Sequence, residues 1–328
     1  MNIERELISV VITTYDRFDE AKRAICSVTN QIYRPIEIIV VEDGSRSGLE
    51  KWISEVRVRD DDVTIKYLNN DKNLGIAATK NNGIRAASGE YIAILDDDDE
   101  WKSDKLLRQM QEMRKFLTDH PGMFAIATSG LEVRDSEGKV EYTAPCGNLG
   151  RLREDIVSNG LKTPSSTFFF PRKKILELGG YDESLKSSLD HDIIMVLALA
   201  GFYGIAVQSP LVINYSRVGR NTNMTNTVQR LDSVKQFLEK WSSTFETWLG
   251  NKKARKFHGD YFAKVGTMLF INKLLSKNFG EAAYCLRQIF SNSGLSISVF
   301  KIVLVPTLKS LVKIFIPSIF VRKIKGLS

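Results

Sequence analysis

The chain has little of what marks a disulfide-stapled or thiolate-metal protein. Its 328 residues include three cysteines, Cys26, Cys146 and Cys285. They are odd in number, widely separated and lack Cys-x-x-Cys spacing, which excludes a disulfide framework and a zinc site of that type. The amino terminus, Met1-Asn-Ile-Glu-Arg-Glu, lacks the basic stretch and apolar core of a signal peptide. A reducing, cytoplasmic setting is therefore expected. There is no low-complexity segment and no internal repeat. With 43% apolar and 26% charged residues, the composition is that of an ordinary globular protein without disordered bias.

The net charge of +7 conceals an asymmetry. Residues 251–328 hold fourteen Lys or Arg against only Asp260 and Glu281, whereas the first 250 residues carry 32 basic and 37 acidic side chains. A mildly acidic body precedes a basic tail, and the length predicts one large domain plus an appendage. Nucleic acid is not the expected partner of that tail, because aromatic interleaving and any recognisable module are missing.

Within the body, apolar runs at 7–12 and 36–41 have the β-branched character of strands buried on both faces of a parallel sheet. Val63, Ile65 and Tyr67 alternate as a third strand, and 91–95 forms a fourth. Between them, helical spacing joins Phe18, Ala21, Ile25 and Val28, then Leu49, Trp52, Ile53 and Val56, and a third helix is predicted over 76–87. Strand alternating with helix defines an α/β fold with a parallel sheet. Further helices are predicted over 105–117 and 189–201, strands over 124–127 and 165–170, and a polar, turn-rich stretch over 130–160.

Polar residues gather at Thr13–Asp16, Glu42–Ser45 and Asp96–Asp99, each just past the carboxyl end of a predicted strand. Ligands of open α/β sheets bind along that edge. The third cluster is four consecutive aspartates. Like charges so close demand solvent or a positive partner, and carboxylates at a strand end make a hard-oxygen site for Mg²⁺ or Mn²⁺. On a strand, residues two apart point the same way. The pair is therefore Asp96 with Asp98, or Asp97 with Asp99.

Six stretches together carry a resemblance. They are 10–17 (VVITTYDR), 40–45 (VVEDGS), Asn73-Leu-Gly75 with 80–84 (KNNGI), 87–92 (ASGEYI), 95–101 (LDDDDEW), and 179–185 (GGYDESL) followed by Asp190-His-Asp192. Their order and spacing resemble the inverting GT-A glycosyltransferases of family 2, which use nucleotide-activated sugars and include bacterial polysaccharide and O-antigen enzymes. The resemblance covers about residues 5–215. It implies a GT-A (Rossmann-like) mixed, mostly parallel sheet flanked by helices over 1–215, with a nucleotide-binding half to about residue 100 and an acceptor half beyond it. A lid or connecting helix would follow over 216–250, then a basic helical region over 251–328.

The resemblance also implies roles. Thr13 and Tyr15 border the nucleotide base, with Tyr15 stacking on it, and Asp43 accepts a hydrogen bond from base or ribose. Glu42 stands where relatives often carry aspartate. Lys80 occupies a diphosphate-contacting position where relatives often carry arginine; lysine acts there as a point charge. Aligning on the strand and on Glu100-Trp101 places the metal ligands at Asp96 and Asp98, with Asp97 on the donor nucleotide. Asp190 is the base that deprotonates the acceptor hydroxyl. His191 and Asp182 are acceptor-side candidates, and Arg217 and Arg220 are lid candidates. Gly75 and Gly83 are read as backbone requirements, a tight turn and a close approach. The QxxRW signature of processive relatives is absent, so transfer of a single sugar is expected.

The implied partners are a nucleoside-diphosphate sugar, UDP-linked by default, and a saccharide or lipid-linked saccharide acceptor. Two rival readings exist. A sugar nucleotidyltransferase needs a glycine-rich phosphate loop after the first strand, and 13–17 has no glycine. A non-catalytic sugar-nucleotide sensor or membrane scaffold has no need of Asp190. In the tail, apolar residues from 298 to 325 are interrupted by lysine and arginine, and the longest uncharged stretch is 314–321, far short of the roughly 20 residues that span a bilayer. Such a segment suits either the surface of an anionic membrane or packing of its apolar face on protein. Pro306 and Pro317 are expected to break it.

Overall fold

The computed structural model describes residues 6–56, 60–135, 137–162, 165–215, 227–294 and 296–315. The chain divides into two compact units, Met1–Arg217 and Val218–Ser328.

The first unit opens as the apolar runs require. Strand β1 (Ile8–Thr14) leads to helix α1 (Phe18–Thr29), β2 (Ile36–Glu42), α2 (Leu49–Glu55), β3 (Val63–Asn69), α3 (Ile76–Ala86) and β4 (Tyr91–Asp96). Every residue of β1 is buried and all of β2 but Glu37, because helices cover both faces of a parallel sheet. Helix α1 buries Ala21, Ala24, Ile25 and Val28, the stripe its spacing predicts. The register aligns the functional edge: Thr13 pairs with Asp96, Thr14 with Glu42, and Glu42 with Asn69.

Beyond β4 come β5 (Asp99–Trp101), α4 (Lys105–Asp119), β6 (Ala125–Arg134), β7 (Val140–Ala144), β8 (Gly150–Arg151), α5 (Leu152–Asn159), β9 (Phe169–Pro171), α6 (Arg172–Glu177), α7 (Leu189–Leu199) and β10 (Tyr203–Tyr215). The sheet order is β3-β2-β1-β4-β9-β6-β10-β5, with β7 beside β6 and β8 beside β10. The first four strands run parallel, and β9 adds antiparallel to β4.

Two sequence expectations are corrected in this unit. The 130–160 region keeps the expected turn, where Gly138 N–H bonds to Asp135 O, but also contains the end of β6, two short strands and α5. Residues 165–170, read as one strand, begin with a 3-10 turn over Ser165–Thr167 before β9. Serine hydroxyls that bond to neighbouring groups compete with a strand ladder, and here both serines are so engaged.

The second unit is helical: α8 (Gln229–Lys240), α9 (Ser242–Leu249), α10 (Asn251–Leu275), α11 (Phe279–Ser293) and α12 (Ile297–Phe315). The long α10 packs against the other four. Ala263, Ile289, Val299 and Val303 form a small core joining α10, α11 and α12. Helix α12 passes through Pro306 without ending, contrary to the sequence expectation. Proline removes one backbone bond, but burial of Val299 and Val303 before it holds the helix in place. Pro317 lies outside the described residues. Among those residues, no helix is long and apolar enough to cross a membrane.

Candidate active site

The aspartate run is bent. Only Asp96 lies on β4; Asp97 and Asp98 form the turn to β5, which starts at Asp99. Strand alternation therefore does not govern the run, and each carboxylate meets different partners. Asp97 and Asp99 are each 6% exposed. Asp97 accepts from Thr14 Oγ1 and Arg17 Nη1, both at 2.9 Å. Asp99 accepts from Ser166 Oγ at 2.5 Å and Asn214 Nδ2 at 2.7 Å. Asp96 and Asp98 keep more solvent access. Each lies beside a cation, Asp96 2.9 Å from Lys80 Nζ and Asp98 3.1 Å from Arg17 Nη1.

The positive partner that four adjacent carboxylates demand is thus two side chains. Arg17 was quoted in the first motif yet given no role. Its signal was positional: it follows the loop leaving β1, the strand beside β4. Asp16 turns the chain there with φ 52°, a left-handed conformation in which aspartate is enriched.

Burial raises the Asp97 carboxyl, against the opposing charge of Arg17 and the Thr14 hydrogen bond. Burial and the neighbouring Asp96 charge push Asp99 up to about 7, although Ser166 and Asn214 hold it down. Ser166 also accepts from the Asp96 backbone N–H at 3.1 Å, so one hydroxyl ties two of the aspartates to the 165–167 turn. Replacement of Ser166 by alanine is expected to lower unfolding free energy by about 1–3 kcal/mol, the cost of stranding buried polar groups. Denaturant titration measures it, and an unchanged midpoint would refute this tie.

Lys80, on α3, is 1% exposed and donates to Ser165 Oγ at 2.6 Å. The Tyr181 ring centroid lies 5.4 Å from its ammonium. Burial works against the charged form, but Asp96, Tyr181 and Asp190 outweigh it and raise the pKa. The backbone N–H of Ser165 reaches Asp190 Oδ2 at 3.3 Å. One serine therefore touches both Lys80 and Asp190. Asp190 sits in the first turn of α7, where the helix dipole favours negative charge. Desolvation nevertheless pushes it up to about 6, with Lys80 opposing and Asp96 adding to the rise.

The neighbours of Asp190 differ in placement. His191 is partly exposed on the same turn. Asp192 lies buried inside α7, whose cap position is Ser188. Asp182 accepts from the N–H and hydroxyl of Ser184 at 2.9 and 2.6 Å and shapes its own turn. Asn81, beside Lys80, grips the same loop: its Nδ2 donates to Tyr181 O at 2.8 Å and its Oδ1 accepts from Tyr181 N at 2.8 Å. The sequence reading gave Asn81 no role, since a link across 100 residues leaves no local signal.

Further along the edge, Tyr15 is 53% exposed while Thr13 is buried. Asp43 Oδ1 accepts from Asn70 Nδ2 and Leu74 N, both at 2.8 Å, and Oδ2 from Gly75 N at 3.0 Å. Buried Glu42 accepts from Ser45, Ser47 and Tyr67; burial raises its pKa, and these bonds more than reverse the rise. Gly75 adopts φ 89°, and a Cβ on Gly83 would stand 2.4 Å from Val11 Cγ1, the turn and close approach expected of them. Arg217 and Arg220 lie outside the described residues.

Among the described residues, no three His, Cys, Asp or Glu side chains are grouped to hold a metal. Asp96 and Asp98 offer two hard-oxygen donors. That number fits Mg²⁺ or Mn²⁺, which bind through one or two carboxylates and take their remaining ligands from phosphate and water.

A mixed, mostly parallel sheet with carboxylates and a buried lysine on its carboxyl edge agrees with the GT-A fold. The model described as Glycosyl transferase family 2 matches residues 9–176, and the chain belongs to that family. The GalNAc(5)-diNAcBac-PP-undecaprenol beta-1,3-glucosyltransferase of Campylobacter jejuni is 33% identical over 132 residues, 40% of this chain and 42% of that protein. The chain spans about two fifths to just under two thirds of the length of the first curated relatives it matches. Two solved structures share the fold. S. aureus TarS 1-349 in complex with UDP-GlcNAc has TM-score 0.53 at 15% identity, covering 87% of this chain and 89% of that one. The mannosyltransferase PcManGT from Pyrobaculum calidifontis, in complex with GDP-Man and Mn2+, has TM-score 0.55 at 15% identity, covering 95% and 82%.

Proposed function

We propose that the protein transfers a single sugar, with inversion, from a nucleoside-diphosphate sugar to an acceptor hydroxyl, using Asp190 as base and a divalent ion at Asp96 and Asp98. The observation that supports this reading is the array in which buried Ser165 joins buried Lys80 to Asp190 while Lys80 pairs with the partly exposed Asp96. In this reading the diphosphate-side lysine and the acceptor-side base share that array.

In this reading exposed Tyr15 stacks on the base, Thr13 borders it, and Asp43 holds the loop beneath it. The metal, when bound, supplies Lewis-acid stabilisation of the departing diphosphate. Lys80 and Arg17 carry positive charge to the same oxygens; Asp97, expected on the donor nucleotide, is instead buried against Thr14 and Arg17 and holds the arginine. Asp190 takes the proton of the attacking hydroxyl, with His191 and Asp182 on the acceptor side and Arg217 and Arg220 closing over the donor. UDP is the default nucleotide, with GDP and dTDP as alternatives. A cell-surface polysaccharide, O-antigen or capsule precursor is the proposed acceptor class, supported by the lipid-linked substrate in the Campylobacter relative's name.

The test is a panel of nucleotide sugars with and without Mn²⁺. A bound donor stabilises the native state and raises Tm, and the stabilising donor should release its nucleoside diphosphate when acceptor is added. No stabilisation by any donor would overturn the reading. A pH dependence follows from Asp190. The base must be ionised, so kcat/KM should fall as pH drops through about 6. A profile flat from pH 5 to 8 would remove Asp190 from the proton transfer.

A further inference from the structure

Helix α12 carries an apolar face that its own unit leaves uncovered. Val299 and Val303 point into the small core. Ile297, Phe300, Leu304 and Leu308 recur at spacings of three and four and are each at least half exposed, turned away from those valines; of these, Phe300 rests one side of its ring on Phe290 of α11. Val305 and Lys301 flank that stripe and are exposed too. Soluble proteins seldom leave such a continuous stripe in water.

Charge selects the occupant. Residues 297–328 contain six Lys or Arg and no acidic residue, and 251–328 as a whole carries fourteen basic side chains against two acidic. Pairing the stripe with a second copy would bring these like charges together. An anionic bilayer satisfies both features, since apolar side chains enter the acyl boundary while lysines meet lipid headgroups. Among the described residues no helix is long and apolar enough to cross a bilayer. We infer that α12 docks on anionic membrane through Ile297, Phe300, Leu304 and Leu308. Rested on the glycosyl-transfer reading, this gives the enzyme a lipid-linked acceptor in the plane of that membrane.

The experiment sediments the full chain with vesicles of phosphatidylcholine alone or mixed with phosphatidylglycerol, at low and high salt. Binding is expected only with phosphatidylglycerol and should weaken with salt. The double variant Leu304→Glu/Leu308→Glu should bind about tenfold or more weakly, and Lys301→Glu less severely. The Tm shift with nucleotide sugar and Mn²⁺ is followed in parallel. Retention of that shift shows the variants are folded; its absence from the wild type strikes the catalytic reading and leaves the vesicle result standing. Equal vesicle binding by wild type and double variant, or none by wild type, overturns the docking surface. So does concentration-dependent dimerisation that the double variant abolishes, because a second copy would then own the stripe.

Discussion

Replacing Asp190 with asparagine is expected to slow sugar transfer by about 10²–10⁴-fold, the usual contribution of a positioned base. Asparagine keeps the shape and an oxygen that can accept from the Ser165 N–H. It cannot take a proton. Lys80 keeps its pair with Asp96 and its bond to Ser165, so the diphosphate side should be undisturbed. The informative measurement pairs transfer rate with the nucleotide-dependent rise in Tm. Loss of rate with an intact rise assigns the proton transfer to Asp190. Equal turnover in both proteins would move the base elsewhere, with His191 on the same helical turn next in line.

Chelation of divalent ions should have an effect of similar size. Lewis-acid stabilisation is worth several kcal/mol, so transfer should fall by about 10³-fold or more and return with Mn²⁺ or Mg²⁺. Asp98→Asn should act the same way, and it has a readout besides turnover: the Mn²⁺-dependent part of the Tm rise with UDP should shrink. Asp98 suits this test better than Asp96. Removing Asp96 would leave the buried Lys80 without its nearest counter-charge, and breaking a buried pair commonly costs about 3–5 kcal/mol. Arg17 keeps Asp97 as its partner when Asp98 is neutralised. If chelator changes neither rate nor nucleotide affinity, Lys80 and Arg17 alone must neutralise the leaving group.

The legible parts of the sequence were those where burial acts on both faces. Strands β1, β2 and β4 are continuous apolar runs because helices cover each side, and their ends fell within two residues of expectation. Strand β7 was illegible for the opposite reason. Its residues are almost all exposed, so its five-residue alternation, Val140 to Ala144, is too short and too polar in its setting to stand out as a buried strand. The 165–167 turn was hidden by the three phenylalanines that follow, which have high strand propensity, while the turn depends on partners 25 to 85 residues away. Distance along the chain also hid Arg17, Asn81 and Ser166. A motif shows that a residue is present, but its partner is set by register, which local pattern does not encode. The four-aspartate run showed this most sharply. Its demand for positive charge was readable, whereas its bend into a turn, which gives neighbouring carboxylates different surroundings, was not.

The grip of Asp43 on the loop ahead of α3 has a practical consequence for anyone wishing to retune donor choice. This carboxylate fastens Leu74 and Gly75, and the helix starting at Ile76 carries Lys80. A swap at position 43 would therefore loosen the lysine's mounting along with any contact to the nucleoside, and selectivity would be gained only by sacrificing turnover. On the proposed reading, engineering should begin instead at Tyr15, whose side chain is largely exposed.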